Sequence, residues 1–344
     1  MNFIKTYISA RNKKANTVVV VFLLGLILNT AFAQKVKYQD GFPYINIGNG
    51  KLKATILLPD TANGYYRAVR FDWSGFMAQV TYKKHTFFQE WKGYIGKTDT
   101  FGIHDPYNTG TGTGISEEFR KPLNYQEAKA GEPFVKVGVG TLLKDKDTAY
   151  YFAKRYTIIN HGKWETTYGK DWVLFTHTLS TDDGYGYIYT KKITLLPNST
   201  VIKVFHSLKN TGIKPIETTT YSHNFFRFDD NPSSDNYVLT YPSPINPKNT
   251  FSAKAHFGAT TFQLADELVG AAPVEGAYNT NGVNEFELAN TKTKTAVHVK
   301  GDKPVIAPYL YIWRNAFCPE HMIAVLVSVG EATSWETVYS FKAN

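Results

Sequence analysis

Cysteine is almost missing from this 344-residue chain, which contains one, Cys318. That excludes an intrachain disulfide framework and leaves no basis for a cysteine-built metal site. Low-complexity linkers and internal repeats are also absent, so composition does not divide the chain into modules. Apolar residues at helical spacing are nearly absent. Blocks of like charge are lacking too: 38 Lys and Arg are scattered among 29 Asp and Glu. Such scatter reads as a solvated surface and argues against a nucleic-acid partner. No metal-ligand or cofactor motif is present, so neither a metal nor a cofactor is expected.

The one long apolar run, residues 18–28, follows Lys5, Arg11, Lys13 and Lys14. Ala31-Phe32-Ala33 then gives a small-x-small cleavage site before Gln34. The run is short and close to that site, so it reads as a signal peptide over 1–33 and not as a membrane span. The expectation is export to the periplasm or secretion, with no membrane attachment afterwards. No Cys follows the run to take a bacterial lipid anchor. Cleavage removes those four positive charges and no negative ones, lowering the net charge from +9 to +5. Asn198-Ser199-Thr200 fits a glycosylation acceptor but decides nothing without a known host.

What is plentiful is two-residue alternation in segments rich in Val, Ile, Thr, Tyr and Phe. Residues 53–58, 68–73, 77–88, 134–143, 150–159, 172–179, 185–196, 201–208, 218–228, 253–264, 286–288, 296–299, 305–313 and 323–327 all read as strands. Turn signals such as Asn63-Gly64, Asp183-Gly184, Pro197-Asn198 and Asn281-Gly282 separate them. The pattern predicts an all-β protein, a large antiparallel sandwich. The longest irregular stretch, 93–121, holds Gly110-Thr111-Gly112-Thr113-Gly114. It lacks the Lys-Ser/Thr and the following helix of a phosphate loop. Its length suggests a functional loop.

Two titratable residues stand in aromatic strands: His223 in Tyr221-Ser222-His223-Asn224-Phe225-Phe226, and Glu320 in Ala316-Phe317-Cys318-Pro319-Glu320. A carboxylate on an apolar strand is costly unless paired or functional. An imidazole and a carboxylate facing each other would suit acid/base chemistry. The bland readings are a satisfied core histidine and an outward-facing glutamate. Glu117 and Glu118 could line a cleft, but two acids on a long loop usually read as solvated. Cys318 reads as a small buried hydrophobe, since no basic motif activates it.

The chain resembles the galactose mutarotase-like superfamily, the aldose 1-epimerases and their relatives. Ser222-His223-Asn224-Phe225-Phe226 is similar to the family's Asn-His-x-Tyr-Phe-Asn strand, which carries the catalytic histidine. Cys318-Pro319-Glu320, followed by Val329-Gly330-Glu331 and by Thr337-Val338-Tyr339-Ser340-Phe341, is similar in order and ending to the segment with the catalytic glutamate. Tyr66-Arg67-Ala68-Val69-Arg70 resembles the strand with the substrate-binding arginine, which would be Arg70 or Arg67. His104 is nearest to the family's first histidine, though His-Gly-Gly itself is missing. Its substrate-binding aspartate has no clear counterpart, although Asp229, Asp230 and Asp235 are near in sequence.

The resemblance implies a super-sandwich over 34–344 and interconversion of sugar anomers, with Glu320 as base and His223 as acid. The partner would be a monosaccharide or oligosaccharide. Trp73, Trp91, Tyr107, Tyr309 and Trp313 are candidate platforms for the C–H face of a sugar, and Arg70 for hydroxyls or a uronate carboxylate. Two other readings keep the fold: a silent carbohydrate-binding module, and a uronate lyase or epimerase.

Overall fold

The computed structural model describes residues 36–37, 41–90, 104–248, 251–270 and 272–344. The predicted signal peptide, Trp91 and the early part of the 93–121 stretch lie outside the described residues. Among the described residues the alternation produces 24 strands, all paired antiparallel, with one short 3-10 turn at Phe228–Asp230.

The first sheet holds β1 (Val36–Lys37), β2 (Pro43–Gly48), β3 (Leu52–Leu57), β4 (Met77–Tyr82), β5 (His85–Thr86) and β6 (Ile115–Phe119). It continues with β14 (Ile216–Asn224), β16 (Asn246–Pro247), β19 (Val274–Asn279), β22 (Ala307–Trp313) and β23 (Ala316–Val327). Their spatial order is β1-β2-β3-β4-β6-β14-β23-β22-β19-β16, with β5 beside β4.

The second sheet holds β10 (Lys163–Tyr168), β11 (Trp172–Ser180), β12 (Gly186–Leu195), β13 (Val201–Asn210) and β15 (Tyr237–Thr240). It also holds β17 (Ala255–Phe257), β18 (Thr261–Leu264), β20 (Glu285–Asn290), β21 (Thr295–Gly301) and β24 (Ala332–Ala343). Its order is β10-β11-β12-β13-β24-β21-β20-β15-β18-β17. A small third sheet joins β7 (Pro133–Lys136), β8 (Gly140–Leu143) and β9 (Thr157–Asn160).

The two large sheets share a core. Ile47, Ile56, Met77, Phe226, Leu310 and Phe317 of the first side pack with Val173, Ile193, Val204, Leu288 and Tyr339 of the second. Each such apolar side chain contributes roughly 1.5–3 kcal/mol on burial. A second cluster covers the opposite face of the first sheet, built from Tyr66, Phe71, Trp73, Phe76, Phe134, Phe225 and Trp313. The first sheet is therefore buried on both faces, and its outer face carries the site.

Two expected strands differ, and one strand was not expected. Residues 68–73 are irregular, because the amides of Arg70 and Phe71 donate to the Tyr66 hydroxyl (2.9 and 3.0 Å) instead of to a neighbouring strand. Most of 150–159 is irregular as well: Tyr150 stacks on Tyr156 (5.6 Å between rings), against Phe134 and Tyr125. Conversely, β6 emerges inside the stretch read as a loop. Its strand signal was masked by two consecutive acids, and both prove buried: Glu117 is 5% exposed and Glu118 0%.

Candidate active site

β14 and β23 fix the central pair. Their pairing runs from Ile216↔Val327 to Thr220↔Ile323 and resumes, in the same register, at Phe226↔Phe317. Within that register His223 lies opposite Glu320, and residues opposite each other across an antiparallel pair share a face. The ladder opens between them for a physical reason. Pro319, opposite Asn224, has no N–H to give, and the Asn224 side-chain amide donates to the Pro319 carbonyl instead (3.1 Å). Tyr309 is opposite Glu320 on β22, Ser116 opposite His223 on β6, and Ala277 opposite Tyr309 on β19. A row thus crosses five strands on one face.

Alternation sends the next residues the other way. Ser222 reaches Glu117 (3.1 Å), Asn224 accepts from Tyr339 of the second sheet (3.1 Å), and His321 contacts Tyr278 (3.0 Å). These belong to the interior between the sheets.

His223 Nε2 stands 3.0 Å from Glu320 Oε1, and both residues are buried, 3% and 7% exposed. The imidazole stacks on Phe225 (4.2 Å, 12°) and meets the edge of Phe71 (5.7 Å). Its Nδ1 has no hydrogen-bond partner among the described residues, so the ring is held by the Glu320 contact and by aromatic packing. Burial pushes the imidazole well below its ordinary range; Arg70 adds to that and Glu118 opposes it. Burial also pushes the Glu320 carboxyl up to about 8, against the pull of Arg70. Desolvation wins because the Arg70 guanidinium is already engaged elsewhere. The pair therefore favours a protonated carboxyl beside a neutral imidazole.

Arg70 is engaged by a buried group of charges. Its Nε donates to Glu118 (2.9 Å) and an Nη to the Tyr221 hydroxyl (3.0 Å). Tyr221, opposite Glu118 in the ladder, donates to the same carboxylate (2.7 Å), and Lys136 reaches its other oxygen (3.2 Å). Burial alone would raise the Glu118 carboxyl, but Lys136 and Arg70 hold it at about 2. Lys136, wholly buried, is lowered to about 8. Arg67, the alternative arginine, lies elsewhere: it sits over Tyr107 (4.5 Å) and donates to the Ala62 carbonyl.

The pair opens into a cleft of about 740 Å³ lined by Arg70, Asn108–Gly110, Arg120, Phe152, Glu275, Tyr309 and Tyr311, among others. Arg70 and Arg120 both lie against the Phe152 ring (4.6 and 4.4 Å). Tyr309 donates to Glu275 (3.1 Å). Of the expected binding residues, Arg70 and Tyr309 are brought to the cleft. Trp73 is not: it is 2% exposed, its indole N–H donates to the Ala68 carbonyl (2.8 Å), and it packs on His161. Trp313 is a core residue, 4% exposed. His104 is fixed between the Tyr65 carbonyl (2.7 Å) and Glu90 (3.3 Å), under Phe42. Asp229 holds His85 (2.6 Å), and neither it, Asp230 nor Asp235 lines the cleft.

Sequence reasoning missed Arg120, Phe152, Tyr311 and Glu275 as cleft residues, and it misplaced Glu118. The signal for Glu275 was an acid in an alternating Val-Glu-Gly-Ala-Tyr segment, which equally fits a solvated strand face. Cys318 is buried as expected, its thiol raised by burial and by Glu320.

No protein-family model and no curated protein sequence matches the chain. Solved structures do resemble it. A galactose mutarotase-like protein from Lactobacillus casei is 13% identical, with 87% of this chain and 100% of that one covered at TM-score 0.51. A second, from Clostridium acetobutylicum, is 12% identical with coverages of 90% and 98% at 0.51. A candidate aldose 1-epimerase from Escherichia coli K12 is 13% identical, with 88% and 100% covered at 0.52. The fold is that of the galactose mutarotase-like proteins.

Proposed function

We propose that the protein is an exported sugar-active enzyme of the aldose 1-epimerase kind, interconverting anomers by acid/base catalysis from His223 and Glu320. The observation that carries this reading is their 3.0 Å contact, buried on the floor of a cleft.

The chemistry requires that the anomeric hydroxyl lose a proton while the ring oxygen gains one and the bond from C1 to that oxygen breaks. The open aldehyde turns about its C1–C2 bond, and the steps reverse on its other face. Ordinary pKa values would make the carboxylate the base and the imidazolium the acid. Burial favours the reverse assignment. Glu320 carries the proton that goes to the ring oxygen, and neutral His223 takes the anomeric one. Ring closure exchanges the roles, so the pair is restored with one proton at the end of each cycle.

Arg70, Glu275 and Tyr309 supply donors and acceptors for hydroxyls, and Phe152 and Tyr311 supply flat apolar faces. Polarimetry of freshly dissolved α-glucose and α-galactose tests the reading. His223→Ala and Glu320→Ala should each slow enzymatic anomerisation by about a hundred- to ten-thousandfold. Rates equal to wild type in either variant would remove it.

A further inference from the structure

The cleft does not end at the catalytic pair. Arg120 borders both the cleft and a second cavity of about 1120 Å³, which is lined by Asn124, Tyr125, Gln126, Tyr150 and Tyr185 as well as by Arg120 itself. The cleft alone, at about 740 Å³, falls within the range of roughly 300–1,000 Å³ that encloses a drug-sized ligand. One pyranose ring does not need the second space.

Three features of the second cavity suit saccharides. Tyr185 is half-buried, with the Lys214 ammonium 4.9 Å from its ring centre. A tyrosine combines a flat apolar face with a hydroxyl, as a sugar ring requires of its platform. Gln126 adds a planar amide that donates and accepts, and Asn124, whose amide N–H groups are held by the Pro133 carbonyl (3.4 Å) and Asp183 (3.2 Å), adds an acceptor oxygen. Arg120, at the junction, has its backbone N–H tied to the Thr219 carbonyl (2.8 Å), while its guanidinium lies over the Phe152 ring and makes no hydrogen bond or ion pair among the described residues. Its five N–H donors are available to oxygens passing from one cavity to the other.

We infer that the substrate is the reducing end of an oligosaccharide: its terminal ring occupies the cleft, and the adjoining sugar residues run past Arg120 into the cavity beside Tyr185. This rests on the proposed function for the orientation of the chain. Only the reducing end carries a free anomeric hydroxyl, so the chain leaves the cleft from another position of the ring.

Isothermal titration separates the two claims because it needs no turnover. The full mature chain is titrated with glucose and galactose, and then with cellotriose, maltotriose and β-1,4-galactotriose. At least one trisaccharide should bind about tenfold or more tightly than its own monosaccharide. Tyr185→Ala should abolish that difference while leaving monosaccharide affinity unchanged, which also shows that the variant is folded. Tyr185→Phe, which keeps the ring, should retain most of it. No trisaccharide advantage in wild type, or an advantage that survives Tyr185→Ala, overturns the inference. Tighter trisaccharide binding without any anomerisation would keep the second subsite and discard the enzyme.

Discussion

Glu117 and Glu118 are adjacent, yet they serve opposite faces of one strand. Glu117 binds His206 (2.9 Å) and Lys191 (2.5 Å) between the sheets, and Glu118 binds Arg70 and Lys136 under the cleft. Removing one partner of a buried ion pair leaves the other uncompensated, at a cost of roughly 3–5 kcal/mol. Glu118→Gln should therefore lower the unfolding free energy from urea titration at pH 7 by about 3–5 kcal/mol. The folded Glu118 carboxyl lies at about 2, below its ordinary 4.5. Its stabilisation is present above pH 4.5 and is lost as pH falls towards 2. The gap between variant and wild type should narrow from pH 7 to pH 3; an unchanged gap would mean that the charge is not what matters.

Glu320 has the opposite sign. Its folded pKa of about 8 lies above the ordinary 4.5, so its contribution is present below pH 4.5 and is lost as pH rises through 8. Glu320→Gln removes that loss. Its melting temperature relative to wild type should be higher at pH 9 than at pH 5, as calorimetry would show.

At the scale of elements, the Gly/Thr run is a packing device. A Cβ on Gly112 would stand 2.6 Å from the Phe225 ring, the ring on which His223 stacks. Gly112→Ala should cost roughly 1–3 kcal/mol, the usual range for overpacking, and should slow anomerisation by displacing the imidazole. Unchanged activity would show that Phe225 does not position His223. How legible these elements were in the sequence follows from their burial. β14 and β23 could be read because their aromatic residues stand out and His223 and Glu320 interrupt them with titratable groups. β6 could not, since both its faces are buried and its acids are satisfied by Arg70, Lys136, Lys191 and His206, which are distant in sequence. Trp73 and Trp313 had the composition of sugar platforms, but only tertiary packing reveals that their faces are used by neighbours.

For the whole molecule, the all-β sandwich was readable from alternation, turns and the near absence of helical spacing. The cleft was not, because its wall comes from segments that lack regular structure, Asn108–Gly110 and the aromatic turn near Phe152. The proposed export is tested on the chain that carries residues 1–33. Expression with residues 1–33 in place should yield a protein outside the cytoplasm whose first residue, by mass spectrometry, is Gln34; an intact N-terminus would contradict cleavage at Ala33.

The most direct test of the one-proton pair is the pH profile of anomerisation for the free enzyme. Burial, with the nearby charges of Glu118 and Glu275, raises the Glu320 carboxyl against the pull of Arg70 and Arg120. The rate constant kcat/KM should be level through neutral pH and fall as pH rises through about 8, when the pair loses its proton, and Glu320→Gln should lack that limb. A rate that instead climbs between pH 6 and 9 to an alkaline plateau would mean that the pair works fully deprotonated, contradicting the assignment of its proton to Glu320.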